Sequence, residues 1–443
     1  MPRKTKIIFL TVFVIVGAIM LYVYFVTQSN NSNTNGSGSS TSGYKSFNPF
    51  SNNGGSTTPT PSSTTPSNTP TDNQEVSVAP GSTALVGGVQ VFHQLTTSPV
   101  AGAQYFEDTR PIVQQEGTTP PPTTTKKTKT PATPAVETVP AVRYVDQMTG
   151  HIYEIYLDDL STTNEVSNST VPSIYQAIFN GNASTVIYRY LGDDNQTITS
   201  YMATLGAPKG EFLPSNITDL SVSTDKSKFF YLIEDNNGVT GMVRSFTDIK
   251  KSQVFSSPFT EWLSQWVGPQ KIYLTTKASS TVDGYLFALN TATGTLSKVL
   301  GGIQGLTTLA NSTGVKIAYS NTQTGQPLLS VVDLGKETTT STNLYTLPEK
   351  CVWAGDNITL YCAIPDTVNT AQYPDDWYQG KISFTDQFVK INTDTGVSTV
   401  VADSANQTAV DGTQLFLNKD GSDLFFINKK DGTLWELDLN SQQ

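Results

Sequence analysis

The chain has 443 residues, with 37 Asp and Glu against 27 Lys and Arg, a formal net charge of −10, two cysteines and two histidines. Its charged fraction of 14% is well below the ~25% of an ordinary soluble protein, and the acidic balance excludes a nucleic-acid partner. So few Cys and His residues also exclude a disulfide-dense scaffold and a Cys/His zinc site.

The missing charge is replaced by Thr, Ser and Asn with 33 Gly and 24 Pro, a composition of strands, tight turns and polar linkers. An all-β protein with polar attachments is expected. The first feature in chain order is a basic flank over residues 1–6, with Arg3, Lys4 and Lys6. An uncharged apolar run from Ile7 to Val26 follows, long enough at about 1.5 Å per residue to cross the ~30 Å hydrocarbon core. It predicts one transmembrane helix over residues 7–28. The next basic residue is Lys45, so the positive-inside rule puts the N-terminus in the cytoplasm and the rest outside the cell membrane. The run exits through Tyr22, Tyr24 and Phe25 into Thr27 and Gln28. A cleavable signal peptide has a shorter apolar stretch and small residues at its cleavage site, so an uncleaved signal anchor is expected.

Residues 29–75 are almost entirely Ser, Thr, Asn, Gly and Pro. Such a segment buries too little surface to offset its ordering entropy and acts as a tether with a reach of roughly 40 Å. A second low-complexity stretch, residues 118–140, holds Pro120, Pro121 and Pro122 and the lysines Lys126, Lys127 and Lys129. It reads as a disordered, solvated insertion within the folded part, residues 76–443.

That folded part repeats a small-residue turn, a short apolar strand ending in Tyr or Phe, a second turn, and a strand ending in Leu-Asn or Leu-Asp. The first half begins at Asn180, Ser223, Asn311 and Asn418 and ends at Tyr188, Tyr231, Tyr319 and Phe426. The second half recurs as Leu286 to Asn290, Leu329 to Leu334, Phe388 to Asn392 and Leu434 to Leu439. Innermost strands are expected to begin near Val171, Ile217, Phe259, Ile303, Lys350 and Thr408, mostly at the ~40 to 45 residue period of a four-stranded propeller blade. The longer interval after Lys350 holds an insertion over residues 363–383. The segment from Val100 to Leu157, split by the Pro/Thr insertion, supplies a further blade, for a total of about seven, with six or eight also open. The last unit ends one strand short after Leu439, while the strand-like Val89 to Leu95 has no blade of its own. Pairing the early strand onto the last blade would close the ring and remove both exposed edges.

The turn and strand Asp420-Gly421-Ser422-Asp423-Leu424-Phe425-Phe426 resembles the repeat of TolB-like and WD40-like β-propellers, with Lys419 where TolB-type repeats carry proline. The Gly-His and Trp-Asp signatures of strict WD40 repeats are missing, so the resemblance is to the superfamily. It implies a rigid binding platform and no particular reaction.

Cys351 and Cys362 flank a turn at Asp356-Asn357 that places them opposite each other on paired strands, close enough for a structural disulfide in an extracytoplasmic domain. The insertion after Cys362 carries Tyr373, Asp375, Asp376, Trp377 and Tyr378. Aromatic faces and carboxylates on one loop can stack on a sugar and bond its hydroxyls, or ligate Ca²⁺, which makes these five the candidate binding residues. The same composition also suits a plug that packs on the propeller with its aspartates capping turns. Trp262 and Trp266 point to one face of a strand as core residues, and His93 and His151 read as packing or edge residues. The pairs Asp158-Asp159 and Asp193-Asp194 are explained by turns.

No catalytic, metal-binding or cofactor motif is found. The first 75 residues hold four basic and two acidic side chains, which leaves 23 and 35 and a net of −12 beyond them. The expected function is a membrane-anchored extracytoplasmic propeller that binds a protein or glycan partner at the cell envelope. The alternatives are a carboxylate-dependent glycan-processing enzyme, needing two acids ~5 to 9.5 Å apart in one pocket, and a ligand-free structural surface protein.

Overall fold

The computed structural model describes residues 92–111, 136–192, 194, 196–403 and 408–440. The expected basic flank, transmembrane span and linker lie outside them, as does most of the 118–140 insertion. Among the described residues no helix is long and apolar enough to cross a membrane.

The strands are β1 (Phe92–Gln94), β2 (Val100–Pro111), β3 (Val136–Asp146), β4 (Ile152–Tyr156), β5 (Asp159–Ser167), β6 (Ile174–Phe179), β7 (Thr185–Leu191), β8 (Ile198–Thr204), β9 (Glu211–Phe212), β10 (Ile217–Val222), β11 (Lys228–Asp235), β12 (Gly238–Ser245), β13 (Lys251–Ser257) and β14 (Trp262–Val267). They continue as β15 (Lys271–Thr276), β16 (Asp283–Asn290), β17 (Leu296–Gln304), β18 (Thr308–Ala310), β19 (Lys316–Asn321), β20 (Leu328–Asp333), β21 (Thr338–Tyr345), β22 (Cys351–Trp353), β23 (Thr359–Pro365), β24 (Asp386–Asn392), β25 (Ser398–Asp403), β26 (Gly412–Leu417), β27 (Asp423–Asn428) and β28 (Leu434–Asp438). They form seven four-stranded antiparallel sheets, six of them made of consecutive strands from β2–β5 to β22–β25. The seventh has the order β1-β28-β27-β26. Each sheet is a blade, and the described residues form an all-β propeller of seven blades.

One device explains why the repeat folds as it does. In four blades the residue that opens the turn receives, on its side chain, the backbone N–H five positions later. Thr185 donates to Asn180 Oδ1 at 3.0 Å, Lys228 to Ser223 Oγ at 3.0 Å, Lys316 to Asn311 Oδ1 at 3.2 Å and Asp423 to Asn418 Oδ1 at 3.1 Å. The short polar side chain closes the hairpin between the first and second strands, which is why Asn or Ser recurs there. In blade six, Asp356 takes the role from inside the turn, accepting from Ile358 and Thr359 at 2.8 Å each.

The second strand of each blade is buried on both faces, and its alternation feeds two cores. On β11, Phe230 and Leu232 pack with Trp262, Trp266 and Ile272 of the following blade. Phe229 and Tyr231 pack with Ile187 and Met202 of the preceding one. Trp262 and Trp266 are both core residues.

Two boundaries differ from the sequence reading. β3 begins at Val136, inside the stretch assigned to the 118–140 insertion, because β2 and β3 extend their pairing to Pro111 opposite Val136. The 363–383 insertion likewise starts late, since residues 363–365 belong to β23, and it contains a short helix, α1 (Asp375–Tyr378).

Candidate functional site

The first strands of all blades run in the same direction. Connections from the second to the third strand therefore emerge at one end of the propeller, together with the connections between blades. The loop that joins β23 to β24 lies at this end and carries the five candidate residues.

The loop spans four blades. Asp375 Oδ2 accepts the Ser280 N–H of blade four at 2.6 Å. The Ala371 N–H donates to Gly325 O of blade five at 3.1 Å, and Gln326 of that blade donates back to Val368 O at 2.5 Å. The Tyr378 hydroxyl donates to Glu349 of blade six, and the Trp377 indole N–H donates to Asp411 Oδ2 of blade seven at 3.1 Å. Asp376 closes the loop on itself, accepting from the Gln372 N–H and from Lys381 Nζ at 3.0 Å each. Tyr373 and Trp377 are 1% and 3% exposed and pack with Leu347 and Phe384. The aromatic side chains of the loop are directed mainly into the propeller.

Beneath Trp377 is a group of residues that the sequence did not single out. Lys350, Asp386 and Asp411 are completely buried. Lys350 Nζ lies 2.7 Å from Asp386 Oδ2 and 2.5 Å from Asp411 Oδ1, and donates to Gly412 O at 3.0 Å. Trp377 and Phe384 present their rings to the same nitrogen at 5.5 and 5.3 Å. The two acids have different surroundings. Asp411 accepts the Phe384 N–H at 3.0 Å as well as the indole, and these bonds together with Lys350 outweigh burial and hold its carboxyl below the usual range. Burial pushes Asp386 up to about 7, because Lys350 and the Gly412 N–H offset that penalty only in part and Asp411 adds to it. Burial disfavours the Lys350 ammonium, but the two acids prevail and its proton affinity is raised. A single ammonium buried between two acids is neutral overall when one acid keeps its proton.

Cys351 follows Lys350 directly and is opposite Cys362 in the β22–β23 register. The two are joined by a disulfide. The turn between them has four residues, Gly355 to Ile358, because the Asn357 N–H donates to Ala354 O and the Ala354 N–H to Thr359 O. The cross-strand register is the same as a two-residue turn would give.

At the opposite end, a groove of about 590 Å³ lies between the first turn of blade seven and blade one, lined by Tyr105, Glu107, Asp158, Lys419 and Asp420 among others. Lys419 pairs with Glu107 at 2.9 Å, and Arg110 with Asp158. Among the described residues no three His, Cys, Asp or Glu side chains form a set that would hold a metal ion.

No family model and no curated protein matches the chain. Solved structures do. TolB from Acinetobacter baumannii is 11% identical with a TM-score of 0.39, over 57% of this chain and 59% of that one. The chain is a β-propeller similar in fold to TolB. An oligogalacturonate lyase in complex with manganese is 9% identical with a TM-score of 0.48, over 68% of this chain and 87% of that one. Hydrazine synthase of Kuenenia stuttgartiensis is 11% identical with a TM-score of 0.41, over 61% of this chain and 78% of that one. These are likenesses of fold alone.

Proposed function

We propose that the protein is a membrane-anchored extracytoplasmic β-propeller that serves as a binding and scaffold module for a protein or glycan partner at the cell envelope. The basic flank and the uncharged run over residues 7–28 support the anchor, and the Ser/Thr/Asn/Pro segment over residues 29–75 supports the tether. The observation that carries the binding reading is the way the loop over α1 is fastened. Its Asp375 carboxylate and its indole tie it to blades four and seven, while Asp376 closes it on itself, so the outer surface there is preorganised rather than an open reaction cleft. Val282 is 59% exposed beside the Ser280 foothold of that loop, and Tyr285 on the adjoining strand is 37% exposed. Exposed apolar side chains on a rigid face suit partner docking.

Glycan processing by a carboxylate pair is disfavoured at this face. Asp386 and Asp411 are brought together there, but Lys350 occupies the space between them and Trp377 covers them.

The test is capture from an envelope extract with the detergent-solubilised full chain, comparing wild type with a Val282→Asp, Tyr285→Ala variant of unchanged thermal midpoint. Loss of a specific protein or glycan from the variant supports docking at the loop end. Equal capture by both removes the site from this face, and capture of nothing by either favours the ligand-free structural alternative. Protease treatment of intact cells, followed by detection of the propeller fragment, tests its extracytoplasmic position.

A further inference from the structure

We propose that Lys350 and Asp386 are a modification site, at which the chain forms an intramolecular isopeptide bond between Lys350 Nζ and Asp386 Cγ with Asp411 as the proton carrier.

The geometry contains each component of that condensation. The nucleophile and the acid are in contact, with Nζ 2.7 Å from Oδ2. The Gly412 N–H donates to the same Asp386 oxygen at 2.6 Å, where it polarises the carboxyl group and stabilises charge developing during attack. Asp411 Oδ1 lies 2.5 Å from Nζ on its other side, placed to take a proton from the ammonium. Lys350, helped by the hydrogen bonds from Phe384 and Trp377, holds Asp411 below the usual range while burial pushes Asp386 up to about 7, so the base and the electrophile are different residues. Trp377 and Phe384 exclude water from the nitrogen. Holding the two groups in contact supplies a large effective concentration, about 10⁵ M or more in well-oriented systems. The burial that penalises an ammonium and a carboxylate also favours the uncharged amide that replaces them.

The step balances without a cofactor. The Lys350 ammonium gives one proton to Asp411 and attacks Asp386 Cγ as a neutral amine. The tetrahedral adduct loses the carboxyl hydroxyl, which departs as water with the proton that Asp411 returns. The second amine proton ends on Asp411, and the third stays on the amide nitrogen. Lys350 directly precedes β22 and Asp386 opens β24, so the bond would tie the first strand of blade six to its third. Together with the disulfide between its first and second strands, it would staple that blade twice.

The test is the intact mass of the purified, reduced and denatured full chain. A mass about 18 Da below that of the sequence is expected, corresponding to the loss of one water. Trypsin should fail to cut after Lys350, and fragmentation should place the branch between Lys350 and Asp386. Asp386→Ala and Asp411→Asn should both restore the full sequence mass. Full mass in the wild type with cleavage after Lys350, or a branch at any other acid, overturns the proposal. The wild-type measurement decides by itself, so poor folding of a variant does not weaken the test.

Discussion

His93 and Glu436 are 343 residues apart in sequence and directly opposite each other on β1 and β28, with Nδ1 2.6 Å from Oε2. They lie in the strand pair that closes the propeller. β1 is three residues long. It is held by the ladder to β28, by the Leu95 N–H on Leu434 O at 2.8 Å, and by Phe92 packing on Phe388 and Phe426. The early strand thus completes the blade that the C-terminal strands leave one short, and it protects an edge that would otherwise be open.

The closure is expected to depend on pH. Burial pulls Glu436 up to about 7, and the nearby Asp423 carboxylate adds to the shift while His93 opposes it. The folded chain therefore holds this proton at pH values where the unfolded chain has released it. The stability gained is complete below the ordinary carboxylate range and is lost as pH rises through about 7. The stability of the wild type relative to Glu436→Gln should fall by on the order of 1–2 kcal/mol between about pH 5 and about pH 8. Parallel denaturation profiles for the two proteins would contradict this.

The disulfide closes a loop with a sequence separation of 11. Cross-linking over that span should stabilise the fold by about 3 kcal/mol by restricting the unfolded chain. Chemical denaturation of the Cys351→Ser, Cys362→Ser variant should show that loss, and added reductant should lower the midpoint of the wild type but not of the variant.

Two neighbours on the loop should respond very differently. Trp377→Ala leaves a cavity above Lys350 and removes an indole donor from Asp411, at an expected loss of about 3–5 kcal/mol. Asp376→Ala breaks a pair with the exposed Lys381 and removes the acceptor for the Gln372 N–H, and should cost about 1 kcal/mol, well below the indole. Equal losses in denaturant midpoint would mean that the indole is not the anchor of the loop.

Close packing of adjacent first strands gives a prediction about a glycine. A Cβ on Gly102 of β2 would meet Ala177 O of β6 at 2.1 Å, whereas a Cβ on Gly355 would meet nothing within 4 Å. Gly102→Ala should lower stability by about 1–3 kcal/mol or more, with Gly355→Ala close to neutral in the same thermal melts.

The sequence by itself showed the blade repeat and narrowed the count to between six and eight, because the repeat is local; the ring closure it pointed to pairs His93 and Glu436, 343 residues apart. The side chains of Asn180, Ser223, Asn311 and Asn418 close their own hairpins five residues on, and that periodicity survives in a one-dimensional pattern. The opposition of Cys351 and Cys362 follows from the same local register. The orientation of the aromatic loop was not legible, since a plug and a ligand platform have the same composition, and only packing against Leu347 and Phe384 turns Trp377 inward. The buried cluster left still less trace. Asp386 and Asp411 lie 36 and 61 residues from Lys350, and each reads as an ordinary charged residue beside a turn. Connections from two blades and one long loop must meet before their charges lose contact with water, so tertiary structure alone decided that the three form one site.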